Sequence, residues 1–393
     1  MAFSISKGRI SPIAIDFGAD ALKLLQVIPS DPPRLVAAAT VELPEHARKG
    51  PAERRAFYTE SLKVLLKSQP FRGRKAICSI PSYQTLVQHF QIPRYENDKT
   101  VEQVGVQLRE RLNVDPNRMV MRIHSVGSVA RDTSKQEVIC FATSKEAVMA
   151  HIECAHRAKL DVVGMQCEPL AIIKSFGHLF TEPGHEDQTT CFIDIGAATT
   201  KVTISHGTKM VFAKAIHAAG DHFNRHRASS DGASFTDARQ LRIQEAIDGT
   251  EEAHTIVARA RGVPRAQSAD AGEETAGLRD SGESVWGLRM FEDETVADTL
   301  DCLIDELQIY MRYHQTMYPE RAVDKLVFVG GEANHVKNCQ SIARALRTKA
   351  QLGDPLSRMV KPRRIRGPHS IDAEVSQPGW AVPYGLCLNE GNA

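Results

Sequence analysis

The chain lacks any apolar run approaching the roughly eighteen residues that a membrane-spanning helix requires. It also lacks a C-x-x-C pair. Its eight cysteines, at 78, 140, 154, 167, 191, 302, 339 and 387, have mostly apolar neighbours, so a redox dithiol or zinc ribbon is excluded and buried, reduced core thiols are expected. No charge of either sign dominates. With 49 basic and 48 acidic residues the net charge is +1, so no global field steers the chain to nucleic acid or anionic lipid. The opening Met1-Ala-Phe-Ser-Ile-Ser-Lys-Gly-Arg-Ile lacks the continuous apolar core and cleavage pattern of a secretory signal, and a soluble cytoplasmic protein is expected. His222 and His226 stand at i, i+4 without a nearby third ligand at helical spacing, and they read as solvated rather than metal-binding.

What is present is a repeat. Ile13-Ala-Ile-Asp16-Phe-Gly18-Ala-Asp-Ala-Leu-Lys23 and Phe192-Ile-Asp194-Ile-Gly196-Ala-Ala-Thr-Thr-Lys201 match in register. Each reads as a buried strand, an Asp-x-Gly turn and a second strand, with a lysine seven residues after the aspartate. An aspartate at the end of a buried strand can offer its carboxylate to hydrated Mg²⁺ while turn N–H groups meet phosphate oxygens. For either hairpin by itself ordinary turn chemistry is the competing account. The duplication argues for two hairpins gripping one nucleotide. Downstream, Leu326-Val-Phe-Val329 runs into Gly330-Gly331 and a helix expected over 334–350, a strand, glycine pair and helix that suit a phosphate or base clamp.

With 393 residues, 42% of them hydrophobic, the chain can fill two sizeable cores. After the first hairpin, periodicity gives a strand over 35–43 and a helix over 52–68 with Phe57, Leu62, Leu65 and Leu66 facing inward. A strand at 75–80 ends at Pro81-Ser82. Beyond it lies a compact insert of strand (85–92), helix (97–112, stopped by Asn113 and Pro116), strands near 119–125 and 138–142, and a helix introduced by a Thr143-Ser-Lys-Glu146 capping box. Met165-Gln-Cys-Glu168-Pro169 reads as a strand end and a helix start with proline in its first turn. A strand at 210–212 precedes a turn at Gly220-Asp221 that opens a helix. The zone 227–283 is polar, with a mobile loop expected near 262–285 and no core. From 296 to 313, apolar residues at 300, 303, 304, 307, 310 and 311 mark one face of a core helix. The basic run Met359-Val-Lys-Pro-Arg-Arg-Ile-Arg366 reads as solvated, and the tail 386–393 carries no amphipathic anchor.

The two hairpins and the glycine pair resemble the phosphate 1, phosphate 2 and adenosine motifs of the actin, Hsp70 and sugar kinase superfamily. Within it, the chain resembles the PilM family of type IV pilus assembly proteins over nearly its whole length. Ala76-Ile-Cys-Ser-Ile-Pro81-Ser82, Ile92-Pro93, Glu168-Pro169-Leu-Ala171, Ala219-Gly220-Asp221 and Val382-Pro-Tyr-Gly385-Leu carry that likeness. The resemblance implies an α/β, actin-like (ribonuclease H-like) two-domain fold with an inserted 1C-type subdomain. Its divisions would be 1–82 and 165–187 for the first domain and connecting helix, 83–164 for the insert and 188–393 for the second domain.

It also implies ATP and Mg²⁺ as cofactors. Asp16, Gly18 and Lys23 would serve the first phosphate motif and Asp194, Gly196, Thr199 and Thr200 the second, with Asp16 and Asp194 nearest the metal. Gly220, Asp221 and Arg242 would approach the nucleotide from the second domain, and Gly330 and Gly331 would meet adenosine. Glu168 would face the γ-phosphate as the catalytic residue; complementing its own helix dipole is the alternative role. Three positions depart from the family pattern: Asp20 stands where hydroxyl residues are usual, Arg239 where a ribose-holding glutamate is, and Ala219 where a glycine is. Hydrolysis is therefore expected to be slow at most.

The implied function is an ATP-binding scaffold of the type IV pilus, or a related secretion system, at the cytoplasmic face of the inner membrane. Its partner would be the short cytoplasmic tail of a PilN-like membrane protein, docked between the insert and the first domain, with no nucleic acid and with membrane contact only through that partner. A small-molecule kinase, for which no motif supplies a catalytic base, and a nucleotide-free adaptor are the alternatives.

Overall fold

The computed structural model describes residues 10–94, 97–129, 132–250, 299–360, 369–371 and 375–389. Its centre is a structural duplication that follows the sequence repeat. The first sheet is built from β1 (Ile13–Phe17), β2 (Ala21–Ile28), β3 (Arg34–Glu42), β4 (Lys75–Ile80) and, after the insert, β8 (Asp161–Cys167), in the order β3-β2-β1-β4-β8. The second uses β9 (Thr189–Ile195), β10 (Thr200–His206), β11 (Lys209–Ile216), β12 (Lys325–Val329) and β13 (Ala350–Leu352) in the matching order β11-β10-β9-β12-β13. In each, three strands form an antiparallel meander and two more add parallel to the first. This is the ribonuclease H-like arrangement expected of an actin-like fold. Parallel additions bury both faces, which is why β9 is buried along its whole length and β12 at every residue after Lys325.

On the first sheet lie α1 (Glu45–Arg48) and α2 (Pro51–Ser68). Leu62 and Leu65 of α2 are buried, Phe57 and Leu66 pack at the margin, and Tyr58 adds an inward ring. Between β4 and β8, β5 (Thr85–Pro93), β6 (Met119–Val129) and β7 (Asp132–Ser144) form a three-stranded sheet in the order β5-β7-β6, with α3 (Asn97–Leu112) closing a small core around Phe90, Val104, Leu108 and Val138. Asn113, at φ 51°, stops α3. The cap of α4 (Lys145–Arg157) lies one residue later than the sequence suggests. Thr143 stays in β7 with its hydroxyl paired to Thr85, and Ser144 accepts from Ala147 N at 3.1 Å.

The second sheet carries α5 (Glu168–Ser175), α6 (Gly220–Asp231), α7 (Phe235–Thr250), α8 (Thr299–Met317) and α9 (Val336–Ala345), while α10 (Ala381–Cys387) packs on β1, β2 and β4 of the first sheet and against α5. Leu303 and Leu307 of α8 are fully buried, with Leu300, Ile304, Tyr310 and Met311 packed around them; residue 296 lies outside the described residues. Two expectations need correction. The polar zone after 227 is not coreless throughout, because α6 continues to Asp231 and α7 buries Ala238, Ala246 and the aliphatic stem of Arg242. Small residues at helical spacing let α7 pack although its sequence is polar. The expected loop 262–285 lies outside the described residues, as do 361–366 of the basic run and 390–393 of the tail. The helix after the glycine pair is also shorter than expected: it runs from Val336 to Ala345, and Arg347, at φ 51°, turns the chain into β13. All eight cysteines are free, and seven are buried; Cys302 is half-buried on α8.

Candidate functional site

The ends of β1 and β9, with their turns, face each other across a cleft of about 800 Å³. Register explains how the functional side chains arrive. Asp16 lies directly opposite Lys23 across β1 and β2, and Asp194 directly opposite Lys201 across β9 and β10. Cross-strand partners share a face, so each hairpin presents one carboxylate and one ammonium to the same side. All four line the cleft, with Glu168 at the start of α5 between them. The position of Glu168 follows from the chain's passage out of β8, where Pro169 fits the first helical turn without needing a donor.

Each charge is fixed by short contacts. Asp16 Oδ1 accepts from Ser79 Oγ at 2.8 Å. Glu168 Oε2 accepts from Ser82 N at 3.1 Å and from Ser82 Oγ, and has Lys201 Nζ 3.4 Å away. Lys201 Nζ lies 2.9 Å from Asp194 Oδ2. Lys23 Nζ donates to the Gly379 carbonyl and stands 5.9 Å from the centre of the Trp380 ring. Burial raises the pKa of Asp16 and of Glu168, and burial likewise lowers that of Lys23. Burial alone would lower Lys201 as well. The carboxylates of Asp194 and Glu168 outweigh it and hold the ammonium above its ordinary value.

The turns supply backbone. Gly196 N donates to Thr199 O at 3.1 Å, closing the second hairpin, and Gly220 N and Asp221 N reach Gly196 O and Ala197 O at 3.0 and 2.8 Å. Gly330 has φ 92°, and a Cβ there would meet Ile195 O at 2.3 Å and Asp194 Oδ1 at 2.4 Å, so only glycine lets this turn close onto the second hairpin. A Cβ on Gly331, by contrast, would project into open space.

Gly18, Thr199, Asp221, Arg242, Gly330 and Gly331 also line the cleft, as the sequence suggests. Thr200 and Gly220 do not. Strand alternation turns Lys201 toward Asp194 and therefore turns Thr200 away, and its hydroxyl donates to Ala218 O at 2.6 Å. Gly220 lies beneath the surface, where a Cβ would collide with Glu332. Arg242 reaches the cleft with its donors already engaged: Asn224 Oδ1 at 2.6 Å, Gly220 O at 3.3 Å and Glu332 Oε2 at 2.5 Å, with its guanidinium over the Phe223 ring.

Asp20, which would repel phosphate if unpaired, is neutralised from two directions. Arg48 of α1 donates to it, and Arg239 of α7 donates to both of its oxygens at 2.9 and 3.2 Å and to Glu42 at 3.1 Å. Two of the three departures from the family pattern, Asp20 and Arg239, are thus each other's partners. Glu332 and Arg48 were not singled out from sequence, Ser79 and Ser82 stood there only within the Ala76-to-Ser82 stretch, and Lys201 only as the end of the repeat. The equal Asp-to-Lys spacing in both hairpins is the signal that places Lys201 beside Lys23.

The donor set suits a polyanion approached by two ammonium groups and by turn amides. A metal ion between Asp16 and Asp194 fits it less well, because Lys201 already lies against Asp194, and among the described residues no group of three or more His, Cys, Asp or Glu side chains is arranged to hold a metal. Among the described residues no helix is long and apolar enough to cross a membrane.

No curated protein sequence matches the chain. Among solved structures it superposes on that of a PilM–PilN type IV pilus biogenesis complex with a TM-score of 0.71, at 18% identity, over 97% of this chain and 98% of that one. The ethanolamine utilization protein EutJ from Carboxydothermus hydrogenoformans matches with a TM-score of 0.49 at 13% identity, over 98% of this chain and 91% of that one. The family model of the type IV pilus assembly protein PilM matches residues 14–254, well over half of the sequence, and the chain belongs to that family.

Proposed function

We propose that this protein is a nucleotide-binding scaffold of a pilus assembly platform. It takes ATP into the cleft between its two sheets and recruits the short cytoplasmic tail of a PilN-like inner-membrane protein at the cytoplasmic face of that membrane. The observation that carries the nucleotide reading is the duplicated Asp–Lys hairpin, which brings Lys23 and Lys201 to one cleft beside the Gly330–Gly331 turn. In this reading the amides around Gly18 and Gly196 approach the phosphates, and Gly330 and Gly331 approach adenosine. Glu168, held by Ser82, faces the γ-phosphate. Bound nucleotide supplies the polyanion, and these groups orient it and exclude water. Hydrolysis is slow at most, because Glu168 is already committed to Ser82 and Lys201.

The domain division proposed is 1–82 with 165–187, the insert 83–164, and 188–393. An extended tail would add at the outer edge of β8, where Val163 is exposed, alongside α4, which packs beside β8 and exposes Met149. The nucleotide reading is tested with Gly331→Phe, whose Cβ enters open space and whose ring is sent into the cleft. Calorimetry should show ATP binding to the wild type and none to this variant at unchanged melting temperature. Equal binding by both proteins would refute it. Met149→Asp with Val163→Asp should abolish binding of a synthetic PilN-like tail peptide, and undiminished binding would rule out that edge.

A further inference from the structure

The two hairpins are alike in register but use their lysines differently. Lys23, opposite Asp16, extends past it to the Gly379 carbonyl. Lys201, opposite Asp194, folds back between carboxylates, with Nζ 2.9 Å from Asp194 Oδ2 and 3.4 Å from Glu168 Oε2. The residue is only 9% exposed and it lines the cleft. Its two carboxylate partners come from different elements, Glu168 from the first turn of α5 and Asp194 from the end of β9.

A magnesium ion requires near-octahedral oxygen ligands at about 2.0–2.1 Å and sheds its waters reluctantly. It cannot share the gap between Asp194 and Glu168 with an ammonium already in contact with both. An ammonium has three donors. Two directions are taken by Asp194 and Glu168, leaving a third for an incoming oxygen. Around it, three buried carboxylates, Asp16, Glu168 and Asp194, face two ammonium groups, so the cleft floor can receive phosphate only while those ammonium charges stay in place.

We propose that Lys201 is the built-in cation of this cleft: its ammonium takes the place of a divalent metal between Asp194 and Glu168, and the phosphates of a nucleotide bind through Lys201 and Lys23 without requiring Mg²⁺. This rests on the reading of the cleft as a nucleotide site. The consequence is a nucleotide affinity that barely depends on divalent metal in this chain, and that becomes metal-dependent when the ammonium is removed.

The test uses the full chain and its Lys201→Met variant, which keeps the stem and loses the charge. Affinity for a fluorescent ATP analogue is measured with excess MgCl₂ and with excess EDTA, and Mn²⁺ binding is followed by electron paramagnetic resonance without nucleotide. The wild type should bind the analogue within about threefold in both buffers, and should bind Mn²⁺ weakly. Lys201→Met should lose about thirtyfold or more in EDTA, recover with Mg²⁺, and bind Mn²⁺ at least about tenfold more tightly than the wild type. A tenfold or greater loss by the wild type in EDTA would overturn the proposal, whether or not the variant folds. If neither protein bound the analogue in either buffer, the nucleotide reading would fail and the built-in cation with it as a phosphate ligand. Mn²⁺ binding as tight in the wild type as in the variant would separately refute the displacement of metal by Lys201.

Discussion

Replacing Gly385 with alanine tests whether α5 and α10 meet backbone to backbone. On an exposed helix that change is stabilising by about 1 kcal/mol, since alanine loses less conformational entropy. Here the new Cβ would lie 1.8 Å from the Ala171 carbonyl oxygen and 2.4 Å from its carbon, where ordinary contact begins at 3.4 Å. The obstacle is main chain in the middle of α5, so no rotamer can yield; the helices must part by more than an ångström. Overpacking that side chains can absorb costs about 1–3 kcal/mol. A clash with backbone belongs at or above the upper end, so Gly385→Ala should lose about 3 kcal/mol or more. Because α5 begins with Glu168, the same displacement should loosen the Glu168–Ser82 contact. Trp380 precedes α10 directly and is buried, so its fluorescence in a Trp286→Phe background reports the transition in urea. A midpoint equal to or above that of the unsubstituted chain would refute the close crossing.

Other consequences follow from single contacts. His151 is 3% exposed, shares Nε2 with Gln84 Oε1 at 2.8 Å, and is brought down by burial to a pKa of about 4. Its stabilising effect is therefore complete above the unfolded value near 6.5 and is lost as pH falls toward 4; at pH 5 the loss is about 2 kcal/mol. His151→Gln should flatten the pH dependence of unfolding between pH 7 and 5 by that amount, and an unchanged slope would place the titration elsewhere. Asp20→Ala and Arg239→Ala should be coupled by about 1 kcal/mol in a double-mutant cycle at low salt, with the coupling shrinking as salt is added. Strict additivity at low salt would dissolve the Asp20–Arg239 contact. Ser82→Ala removes a hydroxyl donor from buried Glu168 and should cost about 2 kcal/mol by thermal or chemical denaturation.

The duplicated fold was legible because its signal is local. A buried strand, an Asp-x-Gly turn and a second strand impose the period and turn chemistry of a hairpin wherever they occur, and two copies in register imply two similar sheets. Helices with a continuous apolar face, such as α8, were equally readable. The core role of α7 was hidden, because packing there uses alanines and the stem of an arginine rather than large apolar residues. The end of α9 was hidden too, since Arg347 gives no sequence cue for its left-handed conformation.

The chain by itself determined which residues could meet the cleft, since strand and helix periods assign faces and turns assign backbone amides. The tertiary structure decided what those residues do once there. Asp20 and Arg239 are 219 positions apart, Glu168 and Lys201 come from different elements, and Thr200 is turned away by the register that turns Lys201 inward. Periodicity acts over a few residues, whereas a charge pair across a cleft depends on how the two sheets close against each other.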